Sequence, residues 1–499
     1  MNYISIHNHQ TTSLSDIPEL DYTTFFDLNT GFIQDHPERH CVNYFGYPEK
    51  DHIKLICCIA DDHTHEIFIS SCNTPAQSRL LAFTSKLLGF EKFEREIHEN
   101  FGIDFIDHPW LKPVRYAFNR ADKTKTIANY PFFNIEGEEL HEVGVGPIHA
   151  GVIEPGHFRF ICNGEQILHL EIQLGYQHRG IESLFLKKKS MLERATLAEN
   201  IAGDTVVGHT SAFSYLWESM CGFQVPEEVH FSRTLALEME RMAIHTGDLS
   251  AVCTDIAYQL GSSVYGRLRT PIVNFMQEWG GNRLSKGLIR PGRNQFQFTS
   301  ALAERLKTTL NAFEPDFNEI SDQLLKLPSV LSRLERTGVV TSEDIQQIGA
   351  VGISARMAGI NRDIRASHPY SLYAALNHEP ILKNTGDVYS RVLIRRLEVN
   401  QSMAYVRKLI NQLPETATAN IELGKPKPNS FTLSLIEGWR GEICHCAITD
   451  EKGELALYKI KDPSFHNWLA LALSVRNNEI SDFPICNKSF NLSYAGHDL

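Results

Sequence analysis

Four short stretches of the 499-residue chain carry the residue types that do chemistry: GPIHAGVIEPGH at 146–157, GYQHRGIESL at 175–184, AENIAGDTVVGH at 198–209 and NLSYAGHDL at 491–499. Glycine lets the backbone come close to whatever it surrounds, and His beside Glu or Asp supplies groups that titrate near neutral pH, the equipment of general acid–base work. One pattern is missing. The cysteines at 41, 57, 58, 72, 162, 221, 253, 444, 446 and 486 include no Cys-x-x-Cys, so neither a paired-thiolate metal site nor a secreted disulfide framework is expected. Cys444 and Cys446 fall on one side of a predicted strand but lack the further ligands of a zinc site, and the adjacent Cys57 and Cys58 read as core.

These stretches need elements to hold them. HIKLICCIA and HEIFISSC read as strands, and AQSRLLAFTSKLLGFEKFEREIHENFG has apolar residues at helical spacing. They make a first α/β domain over 1–120, followed by an aperiodic, turn-rich linker at 121–140 and a large domain over 141–499. In the large domain, HFRFIC and QILHLEIQLG flank Asn163-Gly164, a hairpin signal, and EICHCAITD and ELALYKIKD flank a turn at Lys452-Gly453. Between the hairpins the pattern is mainly helical, with a long helix from about Glu228 to Leu260, and the whole is of the α+β class.

On that helix Leu235, Met239, Met242, Leu249, Cys253, Ile256 and Leu260 form an apolar face, while Glu238, Arg241, His245, Asp248 and Asp255 form an adjacent charged stripe. The pattern alone reads as a solvated, salt-bridged face; a buried ladder requires cover on both sides.

The totals exclude several classes. A formal charge of −12 is the wrong sign for nucleic acid or an anionic membrane surface. No apolar run reaches the roughly 18 to 20 residues of a membrane span. MNYISIHNHQ has no basic start or apolar segment of an export signal, which points to the cytoplasm. No Gly-rich strand-to-helix fingerprint for NAD is present.

Several stretches resemble one family. FEREIHENFGIDFIDHPWLKPVRY (93–116) resembles the signature of the 30 kDa subunit of respiratory complex I. GYQHRGIESL, RTLALEMERMAIHTGDLSAVCTDIAY, TGVV, GAVGISARMAGINRDIR, GDVYSRVLIRRLEVNQS and EGWRGEICH resemble its 49 kDa partner and the large subunits of nickel-iron hydrogenases, in family order. EPGHFRF and KDPSFHNW are similar to the wording of membrane-bound, energy-converting hydrogenases of the formate hydrogenlyase and hydrogenase-4 type.

The resemblance implies a 30 kDa-type domain fused to a 49 kDa-type domain, docked on an iron-sulfur small subunit and on antiporter-like integral membrane subunits at the inner face of the cell membrane. A nickel-iron centre takes four thiolates from two Cys-x-x-Cys pairs, since soft donors hold both metals. The resemblance places those positions at Ala202, Thr205, Ser493 and Gly496, none of which is a thiolate, and the chain stops at HDL without the tail that nickel-dependent maturation removes. It therefore implies no metal or cofactor on this chain and no hydrogen turnover. In complex I the same cavity takes a quinone head group beside a His and a Tyr. Here His149 matches the first His of the family's hairpin loop, the second falls near Ile153, and no Tyr stands in IAGD. Glu154, His157, Asp204 and His497 are then expected to line the cavity with His149, an arrangement suited to proton transfer to a quinone or other small acceptor. Arg179 and Glu182 are expected as a fold-holding ion pair. The matching long helix is interior in the family, which turns Glu238, Arg241, His245 and Asp248 into a buried ladder. The alternative to an electron-transferring subunit is a catalytically silent scaffold that gates the membrane partners.

Overall fold

A computed structural model of the chain describes residues 2–149, 153–414 and 423–499. The unbroken apolar run LICCIA is explained by the strand it belongs to, His52–Asp61. Leu55, Cys57 and Ile59 face one core with Phe25, Phe83 and Phe90, while Ile56, Cys58 and Ala60 face a second core that extends far into the large domain. A strand covered on both faces has no reason to alternate with polar residues. It lies in an antiparallel order of Ile4–Ile6, Glu66–Thr74, His52–Asp61 and Arg39–Glu49, with Glu19–Leu20 added in parallel. The helix Tyr22–Ile33 packs on this sheet, its first turn capped by Asp21, which accepts from the Thr24 amide at 3.0 Å.

The large domain is mixed, and the fold is α+β. A three-stranded sheet (Leu140–Val145, His157–Asn163, Gln166–Gln173) and a four-stranded sheet (Leu455–Lys461, Glu442–Thr449, Ser430–Glu437 and the distant Thr11–Ser13) surround long helices at Val206–Met220, Glu227–Asp255, Gln259–Gly280, Ser300–Leu324 and Val388–Ile410. The pairing of Thr11–Ser13 with Ser430–Glu437 carries the first residues of the N-terminal domain into the large domain's sheet. Arg362 makes a second tie, donating to the carbonyls of Pro37, Glu38 and Arg39 and to the Asp62 carboxylate. The two units expected from the sequence are therefore interlocked.

Three expectations shift. The helix expected over AQSRLLAFTSKLLGFEKFEREIHENFG is α-helical only at Glu91–Phe101, with 3-10 turns at Phe83–Ser85 and Leu88–Phe90 before it. Arg79–Leu81 instead pairs in parallel with Asp104–Ile106, and the buried Glu94 carboxyl takes the amides of Phe83 and Thr84 at 2.6 and 3.1 Å, holding the start of the short 3-10 turn at Phe83–Ser85. The long helix ends at Asp255; Ala257 has a φ of 58°, and a new helix begins at Gln259, so Leu260 leaves the apolar face and is 56% exposed. The first hairpin turns one residue later than Asn163-Gly164: Asn163 pairs with Gln166, and Gly164 supplies the positive φ, 56°.

Candidate functional site

Trp439 and Arg440 form the tip of the hairpin between Ser430–Glu437 and Glu442–Thr449, where Gly438 and Gly441 exchange backbone hydrogen bonds of 2.9 and 3.1 Å. Gly441 has a φ of 140°, and a Cβ there would lie 2.7 Å from the Cα of Gly352, so this close approach of two backbones admits only glycine. The tip is aimed at the segment before the helix Val206–Met220. Arg440 Nη1 and Nη2 donate to the two carboxylate oxygens of Asp204, both at 2.6 Å; Nη1 also donates to Thr205 Oγ1 at 3.0 Å, and Nε to the Asn491 carbonyl at 2.5 Å. Trp439 lies under the guanidinium, 3.9 Å from ring centroid to Cζ, and its Nε1 donates to the Asp204 carbonyl at 2.8 Å. Burial opposes the charge of Arg440, and the Asp204 carboxylate overrides it, holding the guanidinium above its ordinary range.

Asp204 can lie there because the helix start behind it is satisfied from elsewhere. The Val207 and Gly208 amides donate to the Glu240 carboxyl at 2.7 and 3.3 Å, and burial pushes Glu240 up to about 8. Glu154 approaches from the hairpin loop, accepting from the Ala495 amide at 3.3 Å; burial and the charge of Asp204 raise its carboxyl. Beside the pair runs a buried row. Asp462 is 3.0 Å from His209 Nε2, His209 Nδ1 is 3.1 Å from His445 Nε2, and His445 Nδ1 is 2.7 Å from the Tyr458 hydroxyl. Burial holds His445 well below its usual range and therefore neutral, and the Asp462 carboxylate accepts from His209 Nε2.

The stripe on Glu227–Asp255 is a buried ladder over Glu238, Arg241, His245 and Asp248, while Asp255 is exposed. Arg241, Arg356 and Arg365 are set against Glu238, Asp363 and Glu398, all of them shielded from solvent. Burial works against each carboxylate, but Arg241 and Arg365 hold Glu238 below its ordinary range, Arg365 and Arg356 hold Asp363 well below it, and Arg356 and Arg241 do the same to Glu398. Three guanidiniums already meet three carboxylates, so the neighbouring Glu437 has no cation to itself: burial, with Asp363 adding repulsion, pushes it up to about 8. His245 Nε2 donates to the Glu398 carboxylate at 2.7 Å, and burial keeps the imidazole below its usual range. The ladder reaches the hairpin tip twice. Arg241 donates to the carbonyls of Glu437 and Gly438, and Asp248, held by Arg395 at 2.8 Å, accepts from Asn491 Nδ2 at 2.7 Å, whose carbonyl is the one bound by Arg440.

Of the candidates from the sequence, the structure brings together Asp204 and Glu154. His497 is buried nearby but turned toward the N-terminal domain: its ring lies against Phe465, its Nδ1 is 2.8 Å from Asp498, and its carbonyl accepts from Arg115 at 2.6 Å. His157 is held at 3.1 Å from the Gly146 carbonyl against Phe132, with no bond to Asp204. His149 is exposed, and residues 150–152 of its loop lie outside the described residues. Arg179 and Glu182 do not pair with each other. Arg179 donates to the carbonyls of Asn200, Ile201 and Ala495, whereas Glu182 binds Lys459 at 3.1 Å and the Ile460 amide at 2.9 Å. Three residues apart at a helix start, they point to different chains of contacts. Arg440, Trp439 and the His209 row were missed as site residues; a lone Trp-Arg between glycines in EGWRGE was the available signal for the first two.

At the four positions that the resemblance gives to nickel ligands, the residues present do not fit a nickel-iron group. Ala202 is apolar and buried, Thr205 Oγ1 is taken by Arg440, and Ser493 Oγ accepts from the Gly496 amide at 2.9 Å as a helix cap. A Cβ on Gly496 would lie 2.7 Å from the Asp462 carboxyl, so no thiolate has room there. The Cys444 and Cys446 sulfurs sit 3.7 Å apart and buried, with Asn43 Nδ2 at 3.8 and 3.6 Å.

Residues 259–429 match the family described as respiratory-chain NADH dehydrogenase, 49 Kd subunit. The chain is 30% identical to an NADH-quinone oxidoreductase subunit of Dehalococcoides mccartyi over 345 residues, covering 68% of this chain and 93% of that relative. It is 28% identical to "Hydrogenase-4 component G" of Escherichia coli K12 over 393 residues, 78% of this chain and 67% of the relative. It is 25% identical to the C/D-type NADH-quinone oxidoreductase subunit of Phocaeicola vulgatus over 464 residues, 85% and 88% of the two chains.

Proposed function

We propose a function from one established premise: the chain belongs to the family of the 49 kDa subunit of respiratory-chain NADH dehydrogenase and its hydrogenase-4 relatives. In this reading it is the fused 30 and 49 kDa-type subunit of a membrane-associated, complex I-like or energy-converting hydrogenase-related assembly, in which it holds no nickel-iron centre. The observation that carries the reading is the Asp204–Arg440 pair, bonded through both carboxylate oxygens and joined to Thr205 and to Asn491, beside the four positions that would hold metal. A carboxylate and a guanidinium neutralise each other there, and neither is a soft donor.

An iron-sulfur cluster on a small-subunit partner would then pass electrons to a quinone or another small acceptor at the face where Asp204 is 37% exposed. Reduction of a quinone to the quinol consumes two electrons and two protons. Glu154, raised by burial and by Asp204, is the group suited to deliver protons there, and the ladder from Asp248 through Asn491 to Arg440 is suited to report the charge change to ion-moving membrane subunits. A second reading, the silent scaffold, is favoured by the tight packing of Gly496 against Asp462, which leaves no room for a side chain at that position.

The test is made on the purified complex. Elemental analysis is expected to find substoichiometric nickel, and a pre-reduced partner cluster, followed by electron paramagnetic resonance, is expected to reoxidise on addition of a soluble quinone, more slowly in Glu154→Gln. Stoichiometric nickel overturns the whole reading; a cluster indifferent to quinone and other acceptors leaves the scaffold.

A further inference from the structure

A cavity of about 460 Å³, lined by residues of both the N-terminal and large domains and by His497 but by neither Asp204 nor Arg440, lies between the two domains. The helix Glu91–Phe101 and the loop through Trp110 and Leu111 form one wall, and Leu174 with the helix Pro463–Ser474 forms the opposite one. Its volume is in the range of pockets that hold small organic ligands, and its walls are mainly apolar.

The polar groups around it divide into spent and unspent. The Glu91 carboxylate takes Arg95 at 3.0 Å and Trp110 Nε1 at 3.2 Å; Glu171 takes Lys112 at 2.5 Å and the Phe133 amide at 2.6 Å. Arg95 is fully used on Glu91 and on the carbonyls of Lys112 and Pro113. Two buried donors remain without a partner. Lys92 is half-buried along its methylenes, but its Nζ is shielded from solvent and has no hydrogen-bond partner. Trp468 is 2% exposed, and its Nε1 is also without one. Arg476, exposed at the rim, has a guanidinium with no hydrogen bond or ion pair among the described residues. Buried donors left unpaired are costly, and here their residues line a shared, mainly apolar cavity.

We propose that this cavity is a binding site for an amphipathic monocarboxylate, its carboxylate accepting from Lys92 and Trp468 and its apolar body lying between Trp110, Leu174 and Leu469. Arg476 adds attraction at the mouth. Carboxylate oxygens are what two orphan donors require, and the negative charge is what the unpaired ammonium and guanidinium lack; a neutral alcohol or ester of the same length satisfies the walls alone. Burial pushes the Lys92 amine down to about 7, with Arg95 and Arg115 assisting and the nearby Glu91 and Asp498 too weak to offset it. Both domains wall the site, so an occupant would also fasten them together. This site is independent of the redox reading and does not fail with it.

The test uses the full chain, with octanoate and 1-octanol as probes, in calorimetry and in tryptophan fluorescence, since Trp110 and Trp468 both line the cavity. Octanoate is expected to bind saturably and about tenfold or more tightly than 1-octanol, the difference expected for a charge-assisted hydrogen bond. Lys92→Met is expected to bring octanoate down to the level of the alcohol, and Arg476→Gln, at an exposed position that leaves folding untouched, to weaken octanoate about two- to fivefold without altering 1-octanol. Equal binding of acid and alcohol, no saturable binding of octanoate, or octanoate binding unchanged in both variants overturns the proposal. Should Lys92→Met fail to fold, the wild-type pair of probes and Arg476→Gln still decide.

Discussion

Glu437→Gln tests whether the buried network is balanced as described. Arg241, Arg356 and Arg365 are matched by Glu238, Asp363 and Glu398, and Glu437, with a carboxyl at about 8, is left protonated at neutral pH. An acid whose carboxyl is raised on folding binds more protons folded than unfolded between its unfolded value of about 4.5 and about 8, so its contribution to stability falls as pH rises across that window. Each pH unit inside the window costs the wild type about 1.4 kcal/mol, and the neutral glutamine bears none of it. A chain of 499 residues unfolds with about 1 kcal/mol/K of entropy at about 2.1 cal/mol/K per residue, so the melting point of the variant should gain on the wild type by about 1.3 °C per pH unit. Scanning fluorimetry of both proteins at one scan rate from pH 5 to 7.5 should show the gap widen by about 3 °C in favour of the variant. Taking the difference cancels every other titrating group. A gap that stays flat, or a variant less stable at pH 7.5 than at pH 5 relative to wild type, means that Glu437 is ionised in the fold and that the balance of the network is misassigned.

Asp204→Ala leaves the buried Arg440 guanidinium with only the Thr205 hydroxyl and the Asn491 carbonyl. Because Asp204 is 37% exposed and water can reach the gap, the cost is expected at about 2 kcal/mol, below the roughly 3 to 5 of a fully buried pair, and is read as a fall in melting point of about 2 °C that Asp204→Asn halves. Gly496→Ala puts a Cβ 2.7 Å from the Asp462 carboxyl, which His209 holds in place, and should lower stability by roughly 2 kcal/mol, whereas Gly203→Ala, with no atom within 4 Å of the added carbon, should be silent in the same assay. Arg362→Ala removes the donor to Pro37, Glu38 and Arg39 and leaves Asp62 short of its main cation, so the N-terminal domain should become more sensitive to limited proteolysis than in wild type.

How legible all this was in the sequence depends on the kind of contact. The hairpins and the long helix declared themselves because alternation and helical spacing follow from which face is covered. The helix expected from Ala76 failed because its apolar residues at helical spacing belong to a parallel strand pair and to 3-10 turns, and what decides between those outcomes is Glu94, distant in the chain from the amides it takes. The buried ladder could not be told from a solvated face by spacing, since both need charges at steps of three and four; only cover on both sides separates them. Arg179 and Glu182 looked like a pair for the same reason, and parted because each found a partner more than fifteen residues away in sequence.

The absence of four thiolates was readable residue by residue, but what occupies their place was not. Asp204 belongs to a glycine-rich turn before a helix and Arg440 to a hairpin tip 236 residues later, and nothing in either local pattern names the other. Their meeting depends on Gly352 and Gly441 allowing two backbones to touch, on Glu240 relieving the helix start of its need for Asp204 as a cap, and on Asn491 turning its carbonyl to Arg440 while its amide serves Asp248. The last two of these supports are polar contacts with defined partners. The pair is bonded through both carboxylate oxygens and supported on each side, so it is the feature on which the proposed proton and charge handling rests.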